Sequence, residues 1–230
     1  MTIWSKISGS ALSLGGSLAG LMDWLKGNGP GPQDPERSVA FTVGVIALGA
    51  KMAKADGVVT EAEIAAFREV FQVDADEMAN VARVFNLAKQ DVAGYETYAG
   101  QLARLFADQP EVLEDVMDGL FHIAKAEGRI TEAELAYLKA VAGIFGLGKR
   151  FRCIKARHVE AAEDDPYIIL DIEPCAGDAE VRRHFRRLVK ENHPDRHMAA
   201  GLPQEMVKIA TDRLATINAA WEAVRKERGL

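Results

Sequence analysis

The sequence predicts an all-α protein: a helical bundle built on an internal helix-turn-helix repeat, followed by a small helical hairpin. Three observations predict it. No stretch alternates apolar and polar residues with period two for long enough to make a strand. Helix starts are written out as capping boxes, Thr60 with Glu63, Asp74 with Glu77 and Thr131 with Glu134, in which the side chain three residues on returns to the cap's own N–H. And "AKADGVVTEAEIAAF" (53–67) recurs as "AKAEGRITEAELAYL" (124–138), the self-similarity expected of a duplicated supersecondary unit.

The chain has 230 residues and a formal net charge of −6 at pH 7, enough apolar sequence for one large or two small cores. Its mild acidity argues against a nucleic-acid partner. The acid is uneven: residues 36–150 hold most of the surplus, whereas 182–190 are locally basic. Cys153 and Cys175 lie far apart and match no metal or redox spacing, which fits a reducing compartment without structural disulfides.

Residues 1–26 form an amphipathic N-terminal segment. Ile3, Ile7, Leu14, Leu18, Leu21 and Leu25 recur at helical spacing, with Ser and Gly opposite. The uncharged part, Ile7 to Met22, is shorter than the roughly 20 apolar residues a membrane span needs. No small-residue cleavage site follows a strong apolar core, so a signal peptide is not supported. A cytoplasmic protein is expected, with residues 3–25 able to lie peripherally on the inner membrane and Trp4 and Trp24 as interface anchors. "GNGPGPQDP" (27–35) is Gly/Pro-rich and apolar-poor, so 27–37 reads as a linker.

Residues 38–150 read as the bundle, with Pro110 at a first helical position. Each repeat copy comprises a helix end, a turn at Gly57 or Gly128, an inward Val59 or Ile130, and a capped helix. Set on the EF-hand calcium loop, Asp56 and Glu127 take the third ligand place, and Glu63 and Glu134 the last. Met52 and Lys54, like Ile123 and Lys125, occupy the first two. Calcium wants about six to eight oxygens, so at most a weak divalent-metal site shared among Asp56, Glu63, Glu127 and Glu134 is expected, and capping already explains Glu63 and Glu134. "GIFGLGKR" (143–150) imitates a phosphate-binding loop, but Arg150 stands where the Mg²⁺-binding Ser or Thr belongs, and the run follows a helix rather than a strand. A glycine-terminated helix end is the better account.

The doubled Ala-Asp/Glu-Gly-x-x-Thr-x-x-Glu pattern, over roughly residues 38–150, resembles the TerB-like domain named from tellurite-resistance proteins. The resemblance implies an all-helical fold with an acidic patch and metal binding.

Residues 151–163 read as a second linker and 164–230 as the hairpin unit. Asp165 caps a short apolar helix with Pro166 at its first position. A second helix from Asp178 carries the stripe Val181, Phe185 and Leu188. Arg182, Arg186 and Lys190 line a neighbouring face, flanked by Arg183 and Arg187. Pro194 ends that helix and restricts His193 before it. A long third helix from Pro203 turns Ile209, Leu214, Ile217 and Trp221 inward.

Tyr167-Ile-Ile-Leu170, Phe185-Arg186-Arg187-Leu188, His193-Pro194-Asp195 and Ile217-Asn218-Ala219-Ala220-Trp221, in that order, resemble the J domain of DnaJ-type co-chaperones. "GLPQEMVKIATDRLATINAAW" (201–221) further resembles the DjlA branch, bacterial proteins that join a TerB-like domain to a C-terminal J domain. The resemblance implies docking on an Hsp70 chaperone (DnaK) and stimulation of its ATP hydrolysis. On this chain His193, Pro194 and Asp195 would be the signalling loop, with Arg182, Arg183, Arg186 and Lys190 docking to an acidic Hsp70 surface. Asp171 stands where many J domains have Gly, and Trp221 where Tyr is usual. No Gly/Phe-rich region or cysteine-rich zinc domain follows, so an unknown client or membrane-associated partner would be selected by the TerB-like domain or the N-terminal segment.

The expected protein is thus a specialised Hsp70 co-chaperone and not an enzyme, since no nucleophile constellation, metal triad or phosphate loop is present. The alternative is a metal-binding or stress-sensing protein in which the acidic repeat is primary. The charge asymmetry leaves open whether the acidic patch contacts the J-domain arginines, which would be autoinhibitory.

Overall fold

The computed structural model describes residues 37–56, 62, 64–66, 78–90, 94–159, 165–199 and 204–230. The N-terminal segment, Gly57, Val59, the Thr60–Glu63 and Asp74–Glu77 boxes and Pro203 lie outside the described residues. Among those residues the secondary structure is entirely helical: α1 Arg37–Asp56, α2 Met78–Gln90, α3 Tyr95–Leu105, α4 Pro110–Ala124, α5 Glu132–Ile144, α6 Phe151–His158, α7 Pro166–Ile169, α8 Asp178–Glu191, α9 Pro194–Ala199 and α10 Gln204–Arg228.

The larger core is wrapped around α1 and α4. Every residue of α1 from Phe41 to Ala53 is buried, as expected of a helix apolar on all sides. It packs on α2, α3, α4 and α5. Gly44 permits the closest approach: a Cβ there would meet the side chain of Leu102, itself fully buried, at 2.8 Å. Phe41 meets Phe106 edge-on at 5.4 Å, and the Tyr137 hydroxyl donates to the Leu48 carbonyl at 2.8 Å, tying α5 to α1. A second, smaller core joins Tyr167, Leu170, Val181, Leu188, Ile217, Ala220 and Val224. Phe185 stacks on Trp221 with centroids 4.5 Å apart, which gives the Trp at this position its packing partner.

Local sequence signals act where they stand. Thr131 and Glu134 form the reciprocal box: Thr131 N donates to Glu134 Oε2 at 2.7 Å and Glu134 N to Thr131 Oγ1 at 3.2 Å. Pro110 begins α4, and Asp165 accepts from Tyr167 N at 2.9 Å to cap α7. The phosphate-loop look-alike closes α5: Gly146 has φ 73°, Gly146 N donates to Gly143 O and Leu147 N to Ala142 O, the paired bonds of a Schellman end.

Two expectations need correction. Residues 151–158 are not linker but α6, with Ile154 in the larger core and Cys153 buried; three of its eight residues are the late basic group Lys155, Arg157 and His158, which hides a short buried helix from periodicity arguments. Ile209 packs against the larger core rather than the hairpin's own. Ile130 is half-buried against that core.

Asp171 has φ 55°, the left-handed region in which a Cβ is costly and Gly is not. That explains Gly at this place in many J domains. Asp171→Gly is expected to leave the fold intact and change stability by no more than about 1 kcal/mol, in the stabilising direction, whereas Asp171→Val should lower it by about 1–2 kcal/mol; urea melts of the three proteins check this.

Candidate functional site

α8 presents two faces. Val181 and Leu188 are buried in the hairpin core and Phe185 packs beside them, while Arg182, Arg183, Arg186 and Lys190 are all exposed. Asp178 and Glu180 occupy its first turn and Lys190 its last, matching the helix dipole at both ends. His184 Nε2 lies 2.7 Å from the Leu170 carbonyl, and its Nδ1 is 2.9 Å from Arg187 Nη2. That pair of contacts places the proton on Nε2 and ties α8 to the end of α7.

At the tip, Pro194 serves twice: it cannot extend α8 and it is the first residue of α9. Asn192 closes α8, its backbone N–H and its Nδ2 both donating to the Leu188 carbonyl, at 2.9 and 2.7 Å. His193 and Asp195 then project outward, their side chains 49% and 75% exposed. The Asp195 N–H donates to His193 Nδ1 at 3.3 Å. Arg182, Arg183, Arg186 and Lys190 are thus exposed along α8, and His193 and Asp195 are exposed just beyond its end, where α9 begins at Pro194.

Behind this face lies a charge network that sequence reasoning missed. α4 carries Glu114, Asp115 and Asp118, which are 1%, 0% and 3% exposed. Buried carboxylates need partners, and three guanidinium groups supply them. Arg157 on α6 reaches Glu114 at 2.8 Å and Asp118 at 3.0 Å. Arg150 reaches Glu114 at 2.6 Å from the edge. Arg213 comes from α10 of the hairpin unit: its Nε donates to Asp118 Oδ2 at 2.6 Å, its Nη2 to Asp115 Oδ1, and its Nη1 to Asn192 Oδ1 at 2.8 Å. His158, stacked on Phe121, lies 2.7 Å from Asp118 Oδ1. A cleft of about 230 Å³ beside Asp118, His158 and Arg213 opens the network's edge to solvent. Outside it, Arg196 pairs with Glu111 of α4 at 2.8 Å, and the Cys153 thiol donates to the Ile169 carbonyl at 3.2 Å. Burial raises that thiol's pKa to about 11, outweighing the opposing pull of Arg157, so Cys153 is a neutral packing residue at neutral pH.

The signal for Arg213 was present: Ala210, Arg213, Ile217, Ala220 and Val224 form one buried stripe at helical spacing, and an arginine inside an apolar stripe implies a buried anion. The matching signal on α4 is a helix buried from Val112 through Phe121 that nevertheless carries three carboxylates.

Comparison with known proteins agrees with both halves of this geometry. The family model for tellurite resistance protein TerB matches residues 42–158, and the DnaJ domain model matches residues 165–228. Co-chaperone protein DjlA of Coxiella burnetii is 30% identical, over 78% of this chain and 74% of its own length. The chain belongs to the DjlA family of co-chaperones. DjlA of Vibrio cholerae is 28% identical over 88% of this chain and 83% of its own, and DjlA of Legionella pneumophila 24% identical over 83% and 77%. No solved structure matches the chain.

The expected metal ligands of this DjlA-family chain fare differently. Glu63 and the side chains of Asp56 and Glu127 lie outside the described residues, and the Glu134 carboxylate is engaged by Thr131 N and Oγ1. Among the described residues no three His, Cys, Asp or Glu side chains are grouped to hold an ion, and no helix is long and apolar enough to cross a membrane.

Burial alone would raise the Asp118 and Glu114 pKa values. Attraction to Arg157, then Arg213, outweighs it, with His158 adding at Asp118 and Arg150 at Glu114, and both carboxyls are held below their ordinary range, Asp118 well below. Carboxyls with depressed native pKa values stabilise the folded protein fully above their unfolded values, near 4, and that stability is lost as pH falls through the native values. Acidification from about pH 5 downward is therefore expected to loosen the α4–α10 junction, seen as a falling melting temperature that Asp118→Asn makes less steep.

Proposed function

We propose that the protein stimulates ATP hydrolysis by an Hsp70-class chaperone (DnaK), with His193-Pro194-Asp195 as the signalling loop and Arg182, Arg183, Arg186 and Lys190 as the electrostatic docking face. One observation supports this reading: the His193 and Asp195 side chains and the four cations of α8 stay exposed, while the bundle's ion pairs to the hairpin run to Arg213 and Arg196. Exposed charge of one sign accelerates encounter with an oppositely charged partner and fixes its orientation more than it deepens affinity. That suits a contact that must form and release within each ATPase cycle.

The TerB-like bundle serves as the targeting or interaction module for an unidentified client. Residues 3–25 supply peripheral contact with the inner membrane, on the strength of their helical apolar spacing and the paired Trp4 and Trp24. The metal-binding alternative gains no support from Glu134, whose Oε2 is taken up by the helix cap at Thr131.

Single-turnover ATP hydrolysis by a bacterial Hsp70 tests the proposal. The native chain should accelerate it and His193→Gln should return the rate to the unstimulated value. Arg186→Glu should raise the half-saturating concentration about tenfold at low salt, and by less at high salt as screening removes the contribution. No acceleration by the native chain sinks the reading. Vesicle flotation of the whole chain against one starting at Ser38 tests the membrane contact: association lost on truncation is expected, and equal partitioning counts against it.

A further inference from the structure

The network described above does more than join two units. We propose that Arg213, together with Asn192 and the α4 residues Asp115, Asp118 and Glu111, positions the His-Pro-Asp loop, so that the TerB-like bundle completes the J domain's signalling geometry. This rests on the reading that the chain stimulates an Hsp70.

The argument follows the chain on either side of the loop. Before it stands Asn192, 3% exposed. Both ends of its amide are engaged: Nδ2 donates to the Leu188 carbonyl at 2.7 Å and Oδ1 accepts from Arg213 Nη1 at 2.8 Å. That orientation sets the last turn of α8 and the direction in which the backbone leaves toward His193. Arg213 is itself 4% exposed, and its other two bonds go to Asp118 and Asp115 of α4. A guanidinium held by a fork of carboxylates has little freedom to turn, so α4 fixes Arg213, Arg213 fixes Asn192, and Asn192 fixes the entry to the loop. After the loop stands Arg196, paired with Glu111 of the same helix at 2.8 Å. The tripeptide is thus braced at both shoulders against α4, directly on one side and through Arg213 on the other, while His193 and Asp195 face solvent.

Without Asp115 and Asp118 the buried guanidinium of Arg213 would lose both carboxylates that touch it, leaving only Glu114, itself paired with Arg150 and Arg157, as counter-charge, a costly state relieved by moving into water. Asn192 would then lose its acceptor's partner. The docking cations on α8 would be untouched, since none of them takes part. Removing the brace should therefore lower the rate that a bound co-chaperone elicits and leave the strength of docking nearly constant. Misplacement of a reactive group by about 1 Å is enough for large losses of rate.

The test uses the full chain in single-turnover Hsp70 assays across co-chaperone concentration, with His193→Gln as reference. Asp115→Asn/Asp118→Asn is expected to lower the maximal stimulated rate about tenfold, and Glu111→Gln about threefold, with half-saturating concentrations changed less than about twofold. Amide exchange at residues 192–196 should quicken in both. If the double variant does not fold, Glu111→Gln, on the surface of α4, carries the test alone. Maximal rates equal to the native chain's overturn the positioning role and leave the co-chaperone reading standing; so does a loss confined to half-saturation. A native chain that fails to stimulate, by contrast, removes the reading on which the proposal rests.

Discussion

Three carboxylates buried in one central helix are the constraint on which the rest of the molecule depends. α4 is buried from Val112 through Phe121, yet Glu114, Asp115 and Asp118 lie within that stretch. An unpaired buried carboxylate is costly by several kcal/mol, so the surrounding chain must bring cations to it. Two come from the segment immediately after the bundle's last long helix, Arg150 and Arg157, and one from the far unit, Arg213. Separating the units would leave the buried Arg213 without its α4 carboxylates and take one cation from each of Asp115 and Asp118. Such a network contributes less to net stability than apolar packing of the same volume would. What it adds is a single permitted arrangement, because each guanidinium has a fork geometry that only one docking pose satisfies.

This division of charge has a functional consequence. The hairpin unit carries basic residues on two sides, and only one side meets the acidic helix. Arg213 and Arg196 turn to α4, while Arg182, Arg183, Arg186 and Lys190 on α8 remain in solvent. Among the described residues, the bundle's ion pairs to the hairpin run to Arg213 and Arg196, and none runs to Arg182, Arg183, Arg186 or Lys190. A partner docked on the α8 cations would therefore touch residues other than those that meet α4. At the loop end of the hairpin, the contacts of Arg196 with Glu111 and of Asn192 with Arg213 are two links to α4.

The small unit also depends on its own closures. Arg228, near the end of α10, donates to the Tyr167 hydroxyl at 2.8 Å and to the carbonyls of Ala176 and Pro174 at 2.7 and 2.6 Å. It pins the connection between α7 and α8 against the third helix. With His184 holding Leu170, the hairpin core of few large side chains is closed by polar bonds at its margins, as expected where a small unit has little apolar area to bury.

Much of this was legible in the sequence because the causes are local. The Thr131–Glu134 box, Pro110 at a helix start, Pro194 at a helix break, Gly146 at a helix end and the Val181–Leu188 stripe all act within about two turns of helix, so residue order alone determines them. The His-Pro-Asp loop and its basic face were legible for the same reason. The parts that only tertiary structure decided are the contacts between residues distant in sequence: Arg213 stands 95 residues from Asp118 and 98 from Asp115. α6 passed for linker because its basic residues look solvated until the carboxylates that bury them are known, and nothing near them in sequence says so. Asp171 became intelligible only once its positive φ was seen. Local hydrogen bonding and periodicity are properties of a few consecutive residues, whereas the pairing of buried charges is a property of how helices meet, and that was settled by the packing.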